Sequence, residues 1–350
     1  MCRARLLTLC TLMLTSVATQ GARLQTPVPA LAMQAFALHT ATGNASVPLD
    51  SSIVLGVNHP EITRAAIVLH GKGRNVQGYF RALQNAAAQA GSIGSHTLLL
   101  APQFLREEDI QAHRLPNQFL RWHEGSWSAG ELAVGPLPYS SFDVIDALLG
   151  TLGDRTKFPN LTTVVLIGHS GGGQLLNRYA IAGKQPAALQ SIGISVRFVI
   201  ANPSSYFYFT DDRPQPDGSF APFKGANCAH FNQWRYGPAN APAYIADTST
   251  AAWQKRESDY AKANVIYLMG ADDTDPEQQD LDTSCAGEAE GPDRLDRGKA
   301  YFRYLTARHS DFGHRFWLVP GVAHVGSRMV ESACAVAAVF DSGNCTTQVR

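Results

Sequence analysis

The chain has no net charge. Its 350 residues set 29 Lys and Arg against 29 Asp and Glu, so bulk electrostatics offer nothing to a nucleic acid or another polyanion, and no nucleic-acid partner is expected. Cysteine is sparse, at 6 residues, and no C-x-x-C pair occurs, which removes the usual spacing of a structural zinc site. Gly71-Lys72-Gly73 is the only phosphate-loop suggestion, and it lacks both the Walker spacing and a GKS or GKT ending. There is no internal repeat and no low-complexity tract. Beyond the apolar run at 6–17, no stretch approaches the ~20 apolar residues of a membrane helix, so no integral membrane segment is expected in the mature chain. What is present is 45% hydrophobic and only 17% charged residues, enough to bury a large core and unlike a disordered chain.

The N-terminus reads as a secretory leader. Arg3 and Arg5 precede the apolar run, and small residues follow it around Ser16-Val17-Ala18. Cleavage is expected near Ala18 or Ala22, giving a signal peptide over about 1–22, one domain over 23–350, and a secreted or periplasmic protein. Removing the leader discards Cys2 and Cys10 and leaves Cys228, Cys285, Cys334 and Cys345. An even number in an oxidising compartment predicts two disulfides. Three pairings are possible; closure of the short 334–345 loop would leave Cys228 with Cys285. Asn44, Asn160 and Asn344 stand in N-x-S/T sequons.

Through most of the mature chain, short apolar strands alternate with amphipathic helices, which predicts a mostly parallel sheet covered on both faces. Strands are expected at 65–70, 97–101, 163–167, 196–201, 265–269 and 316–319. Helices are expected at 79–90, 142–152, 174–182, 299–308 and 328–340. Segments 33–39 and 53–57 suggest an antiparallel hairpin at the start. Two aromatic-rich stretches, about 102–138 and 203–263, break the rhythm; loops so long are usually functional or structured in themselves. They are read as insertions over the C-terminal ends of the strands, forming a cap, and their aromatics suggest a bulky or apolar substrate group.

The segment Val164-Val165-Leu166-Ile167-Gly168-His169-Ser170-Gly171-Gly172-Gly173 joins a doubly buried strand to a helix through a G-x-S-x-G turn. Glycines flanking Ser170 allow close approach of strand and helix, and the helix N-terminus favours a developing oxyanion. A serine hydroxyl needs a base and an orienting acid to act as a nucleophile. Gly270-Ala271-Asp272-Asp273-Thr274-Asp275 follows one strand and Pro320-Gly321-Val322-Ala323-His324 follows the last. The order is therefore serine, acid, histidine. Here the chain resembles the α/β-hydrolase superfamily, from about Ala65 to the C-terminus. The resemblance implies an eight-strand-type sheet, a Ser170-His324-Asp273 triad and acyl-enzyme chemistry. Asp272 and Asp275 compete with Asp273, and His314 competes with His324; His309 and His169 are further histidines nearby.

The second oxyanion donor is expected from His70-Gly71-Lys72-Gly73, which resembles the H-G-x loop of hydrolases. The backbone N–H groups of Gly171 and Lys72 are the candidates. The acidic run Asp273, Asp275, Glu277, Asp280 and Asp282 has the oxygen spacing of a calcium loop, but no glycine makes the sharp turn and Ser284 stands where a bidentate Glu is needed. No metal and no cofactor are expected. The sequence thus predicts a secreted serine hydrolase acting on a small-molecule or polymeric ester. A peptidase or amidase using the same triad, and a non-catalytic binding protein on the same scaffold, are the other readings.

Overall fold

The computed structural model describes residues 26–40, 43–225, 227–346 and 348–349; the expected leader lies outside them. Eleven strands form in chain order. They are β1 (Gln34–Thr40), β2 (Gly43–Ser51), β3 (Arg64–Leu69), β4 (Thr97–Pro102), β5 (Thr163–His169), β6 (Ser195–Ala201), β7 (Asp212–Pro214), β8 (Phe220–Pro222), β9 (Asn264–Gly270), β10 (Arg315–Val319) and β11 (Gln348–Val349). Nine of them make one sheet in the order β1-β2-β4-β3-β5-β6-β9-β10-β11. The six strands from β4 to β10 run parallel, and antiparallel strands stand at the two edges. The short pair β7-β8 lies apart.

Successive residues of a strand face opposite sides, so a doubly covered strand must be apolar throughout. In β5, Val164 and Leu166 enter one core while Val165 and Ile167 enter the other, and all four are fully buried. The first core takes Phe142, Leu148 and Leu149 from helix Ser141–Leu152, Leu175 and Tyr179 from helix Gly171–Ala182, Tyr260 from helix Thr250–Lys262, and Tyr301 and Tyr304 from helix Arg294–Arg308. The second takes Leu83 and Ala86 from helix Val76–Gln89, and Val336 and Phe340 from helix Ala333–Phe340. Side-chain caps fix several helix starts: Asn75, Ser140, Ser249 and Asp293 each accept a backbone N–H of the first turn.

Three expectations shift. The opening hairpin pairs β1 with β2, Gln34 opposite Leu49 and Thr40 opposite Gly43, and 53–57 forms no strand. Pro48 disguises β2 because proline lacks a ladder donor. The expected helix 328–340 is two, Gly326–Glu331 and Ala333–Phe340, because the Ser332 side chain caps the second. Finally, the last part of the 203–263 insertion is helix Thr250–Lys262, leading directly into β9.

Both insertions are fastened to the helix after Ser170. The guanidinium of the fully buried Arg178 donates to Ser128 O and to Arg235 O, each at 3.0 Å, and Trp234 Nε1 donates to Ala129 O at 2.6 Å. Tyr206, Phe207 and Tyr208 are buried, and Phe207 stacks on Trp253. The insertions make an aromatic-rich cap whose aromatics mostly pack against one another and the body. Disulfides join Cys228 to Cys285 and Cys334 to Cys345. All three sequon asparagines are exposed.

Candidate active site

Parallel strands carry their C-terminal ends to one edge of the sheet, and the loops after β3, β5, β9 and β10 meet there. Ser170 follows β5 with φ 58° and ψ −118°, a left-handed conformation that is costly for a residue with a Cβ. The turn is held by Ser170 N–H donating to Ala201 O at 3.0 Å. Its glycines are required by packing: a Cβ on Gly172 would stand 2.3 Å from Leu69 O, and one on Gly168 would stand 2.2 Å from Gly172 O.

His324 Nε2 lies 3.0 Å from Ser170 Oγ, and His324 Nδ1 lies 2.8 Å from Asp273 Oδ2. The carboxylate accepts the Nδ1 proton, which leaves Nε2 to accept the serine proton. The loops bearing the acid and the histidine are laced together: Ala271 N–H donates to Val319 O and Asp272 N–H to Val322 O. Asp273 is buried, whereas Asp272 and Asp275 are exposed. Asp273 O also accepts the N–H of Leu295, at the start of helix Arg294–Arg308.

His314 is not brought to the serine. It lies buried between Tyr260 O, to which Nε2 donates at 2.6 Å, and the Tyr267 hydroxyl, and burial pushes its pKa down to about 3. His309 sits beside Glu257. His169 is close but turned to another task. Its ring packs on His324 with centroids 4.7 Å apart, and its Nδ1 accepts the Tyr79 hydroxyl at 2.8 Å. Burial holds the Tyr79 phenol protonated and pushes His169 well below the usual imidazole range, so this neighbour is neutral. The acidic run is engaged locally, Asp275 by Glu277 N–H and Asp282 by Tyr236 and Ser284. Among the described residues no group of three or more His, Cys, Asp or Glu is arranged to hold a metal.

The two expected oxyanion donors are adjacent: a Cβ on Gly171 would stand 3.2 Å from Lys72 N. Gly71 also approaches Ser170, its hypothetical Cβ 3.7 Å from Ser170 Oγ. Beside this loop lies a cleft of about 450 Å³ bordered by Lys72, Gly73, Trp127, Glu124 and Asp280. Trp127 is the one aromatic among its lining residues, and Ser170, Asp273 and His324 are not among them.

Three residues at or near the site are not singled out by the sequence: Tyr79 and Arg178, which act through contacts distant in the chain, and Arg294, whose Nη1 lies 3.7 Å from Asp273 Oδ1.

No protein-family model and no curated protein sequence matches this chain. Solved structures do. Poly(aspartic acid) hydrolase-1 from Sphingomonas sp. KT-1 superposes with a TM-score of 0.58 at 21% identity, covering 89% of this chain and 99% of that one. A poly(3-hydroxybutyrate) depolymerase from Bordetella parapertussis superposes with a TM-score of 0.57 at 19% identity, covering 91% and 94%. With the strand order, the elbow after β5 and the helices on both faces, these likenesses show that the chain has the α/β-hydrolase fold.

Proposed function

We propose that this protein is a secreted serine hydrolase that cleaves carboxylic esters. The observation that carries the reading is the unbroken hydrogen-bond chain from Ser170 Oγ through His324 to Asp273. His324 Nε2 takes the hydroxyl proton as Ser170 Oγ bonds to the ester carbonyl carbon. The resulting oxyanion lies toward the Lys72 and Gly171 N–H groups. Asp273 holds the imidazolium in orientation and compensates its charge. Collapse breaks the bond to the alkoxy oxygen, which leaves with the proton from His324. Water then repeats the sequence on the acyl-enzyme and releases the acid. No step draws on a metal or cofactor.

Residues 23–350 are read as one catalytic unit behind a leader at 1–22. Two disulfides support an oxidising compartment, and no helix among the described residues is long and apolar enough to cross a membrane. The substrate is a small-molecule or polymeric ester. Likeness to a depolymerase favours the polymer, and likeness to a poly(aspartic acid) hydrolase favours a second reading, amide cleavage by the same triad. A panel of nitrophenyl esters of increasing chain length and aminoacyl arylamides, with Ser170→Ala as blank, tests the choice. Ester turnover that Ser170→Ala abolishes is expected; preferential arylamide turnover overturns the ester assignment. A folded protein that no fluorophosphonate labels would return the chain to a non-catalytic binding role.

A further inference from the structure

Among the described residues four arginines are at most 1% exposed: Arg178, Arg213, Arg294 and Arg297. An arginine taken out of water is tolerated where its N–H groups find acceptors, and three of the four meet that condition. Arg178 donates to Ser128 O and Arg235 O, Arg213 to Thr210 O and Phe231 O, and Arg297 to Ser204 O and Gly291 O. Arg178 and Arg297 tie the insertions to the body, and Arg213 braces the 203–263 insertion internally. Arg294 does not. Its Nε, Nη1 and Nη2 make no hydrogen bond to protein, and its nearest counter-charge is Asp273, 3.7 Å away. The same helix turn offers Leu295 N–H to the Asp273 carbonyl at 3.2 Å. The guanidinium and the positive end of the helix therefore converge on the acid that faces His324.

We infer that Arg294 is a positioning residue of the triad. Its buried guanidinium stands behind Asp273 Oδ1 and fixes the carboxylate beside His324 Nδ1, so removing that charge should move the pH at which Ser170 becomes reactive. A carboxylate beside an imidazole favours the imidazolium, and a cation behind the carboxylate opposes this. The other groups facing the pair do not supply that charge. His169 and Tyr79 are held neutral by burial, and Tyr206 is likewise a buried neutral phenol. Arg297 is turned to carbonyl acceptors. Asp275 is exposed and Asp280 half-buried, where solvent screens them.

This inference rests on the serine-hydrolase reading. Its test is the rate of fluorophosphonate labelling of Ser170 in the full chain across pH 4.5–9, in wild type, Arg294→Gln, Arg294→Met and Arg294→Lys, with melting temperatures alongside. The two neutral variants should raise the pH of half-maximal rate by about one unit, with the alkaline plateau within about tenfold of wild type; Arg294→Lys should lie nearer wild type. Folded neutral variants with an unmoved half-maximal pH overturn the inference. So does failure of both to fold, which assigns Arg294 to the scaffold. Wild type that stays unlabelled at every pH is a different result, and it overturns the hydrolase reading itself.

Discussion

Phe104 donates its backbone N–H to His70 Nε2 at 3.0 Å, and this fixes which ring nitrogen of His70 carries the proton. Nδ1 must then be the donor, and it meets Gly71 O at 2.9 Å. Burial pushes His70 down to about 4, so the arrangement persists at neutral pH. Arg74 N–H donates to the same carbonyl at 3.0 Å. Carbonyl and N–H of a trans peptide point in opposite directions; with Gly71 O held twice, the Lys72 N–H is aimed the other way, toward the Gly171 side.

His70→Ala should therefore loosen the proposed oxyanion donor, the Lys72 N–H, without touching Ser170. We expect kcat to fall by about 10- to 100-fold, less than deletion of a donor costs, with KM within a few-fold. Steady-state kinetics on a nitrophenyl ester measures both. A rise in KM at constant kcat would place His70 in substrate binding instead.

The three acidic candidates separate cleanly by burial. Asp273→Asn keeps the shape but presents an amide to His324 Nδ1, which favours the wrong tautomer, and a loss of about 10⁴-fold in kcat is expected. Asp272→Asn and Asp275→Asn alter exposed side chains and should keep wild-type turnover within a few-fold. Comparable losses at Asp273 and Asp275 would remove Asp273 from its proposed role.

Ser170, Asp273 and His324 were legible because each follows an apolar strand whose period is local, and because glycine marks the elbow and the acid turn. Sequence reasoning left Asp272 and Asp275 open because all three share one loop, and only burial tells them apart. Helix Arg294–Arg308 begins five residues before the expected 299–308, because Arg294, Arg297 and Gly298 add nothing to an apolar pattern. They are buried, and a buried arginine is indistinguishable in sequence from a surface one. The aromatics of the insertions are visible in the sequence, yet their partners, Trp253 for Phe207 and Ala129 O for Trp234, lie far along the chain where no local spacing encodes them.

His314 offers a stability test away from the proposed chemistry. Its pKa of about 3 in the folded protein lies below the ~6.5 of an exposed imidazole. Between those values the unfolded chain binds more protons, so stability is full above about pH 6.5 and falls as pH drops, by up to ~1.4 kcal/mol per pH unit for one histidine. His169 and His70 act in the same direction. Gln at 314 can donate to Tyr260 O and accept from Tyr267 without titrating. Urea unfolding at pH 7 and pH 5 should show a shallower loss in His314→Gln, by about one proton; equal slopes would refute the assignment.

The disulfides should contribute unequally. Cys228–Cys285 closes a separation of 57 residues and Cys334–Cys345 one of 11. On loop entropy alone, removing the first costs about 4 kcal/mol and the second about 3 kcal/mol. Their places in the fold widen the difference. The longer bridge joins the 203–263 insertion to the segment following the acid loop, so losing it frees the chain that follows Asp273, whereas the shorter one staples helix Ala333–Phe340 to the chain just beyond it. Replacing Cys228 and Cys285 together with Ser should lower both melting temperature and kcat; the paired Cys334 and Cys345 change should lower melting temperature and leave kcat near wild type. Equal losses of kcat in the two double variants would show that the long bridge does not hold the acid loop.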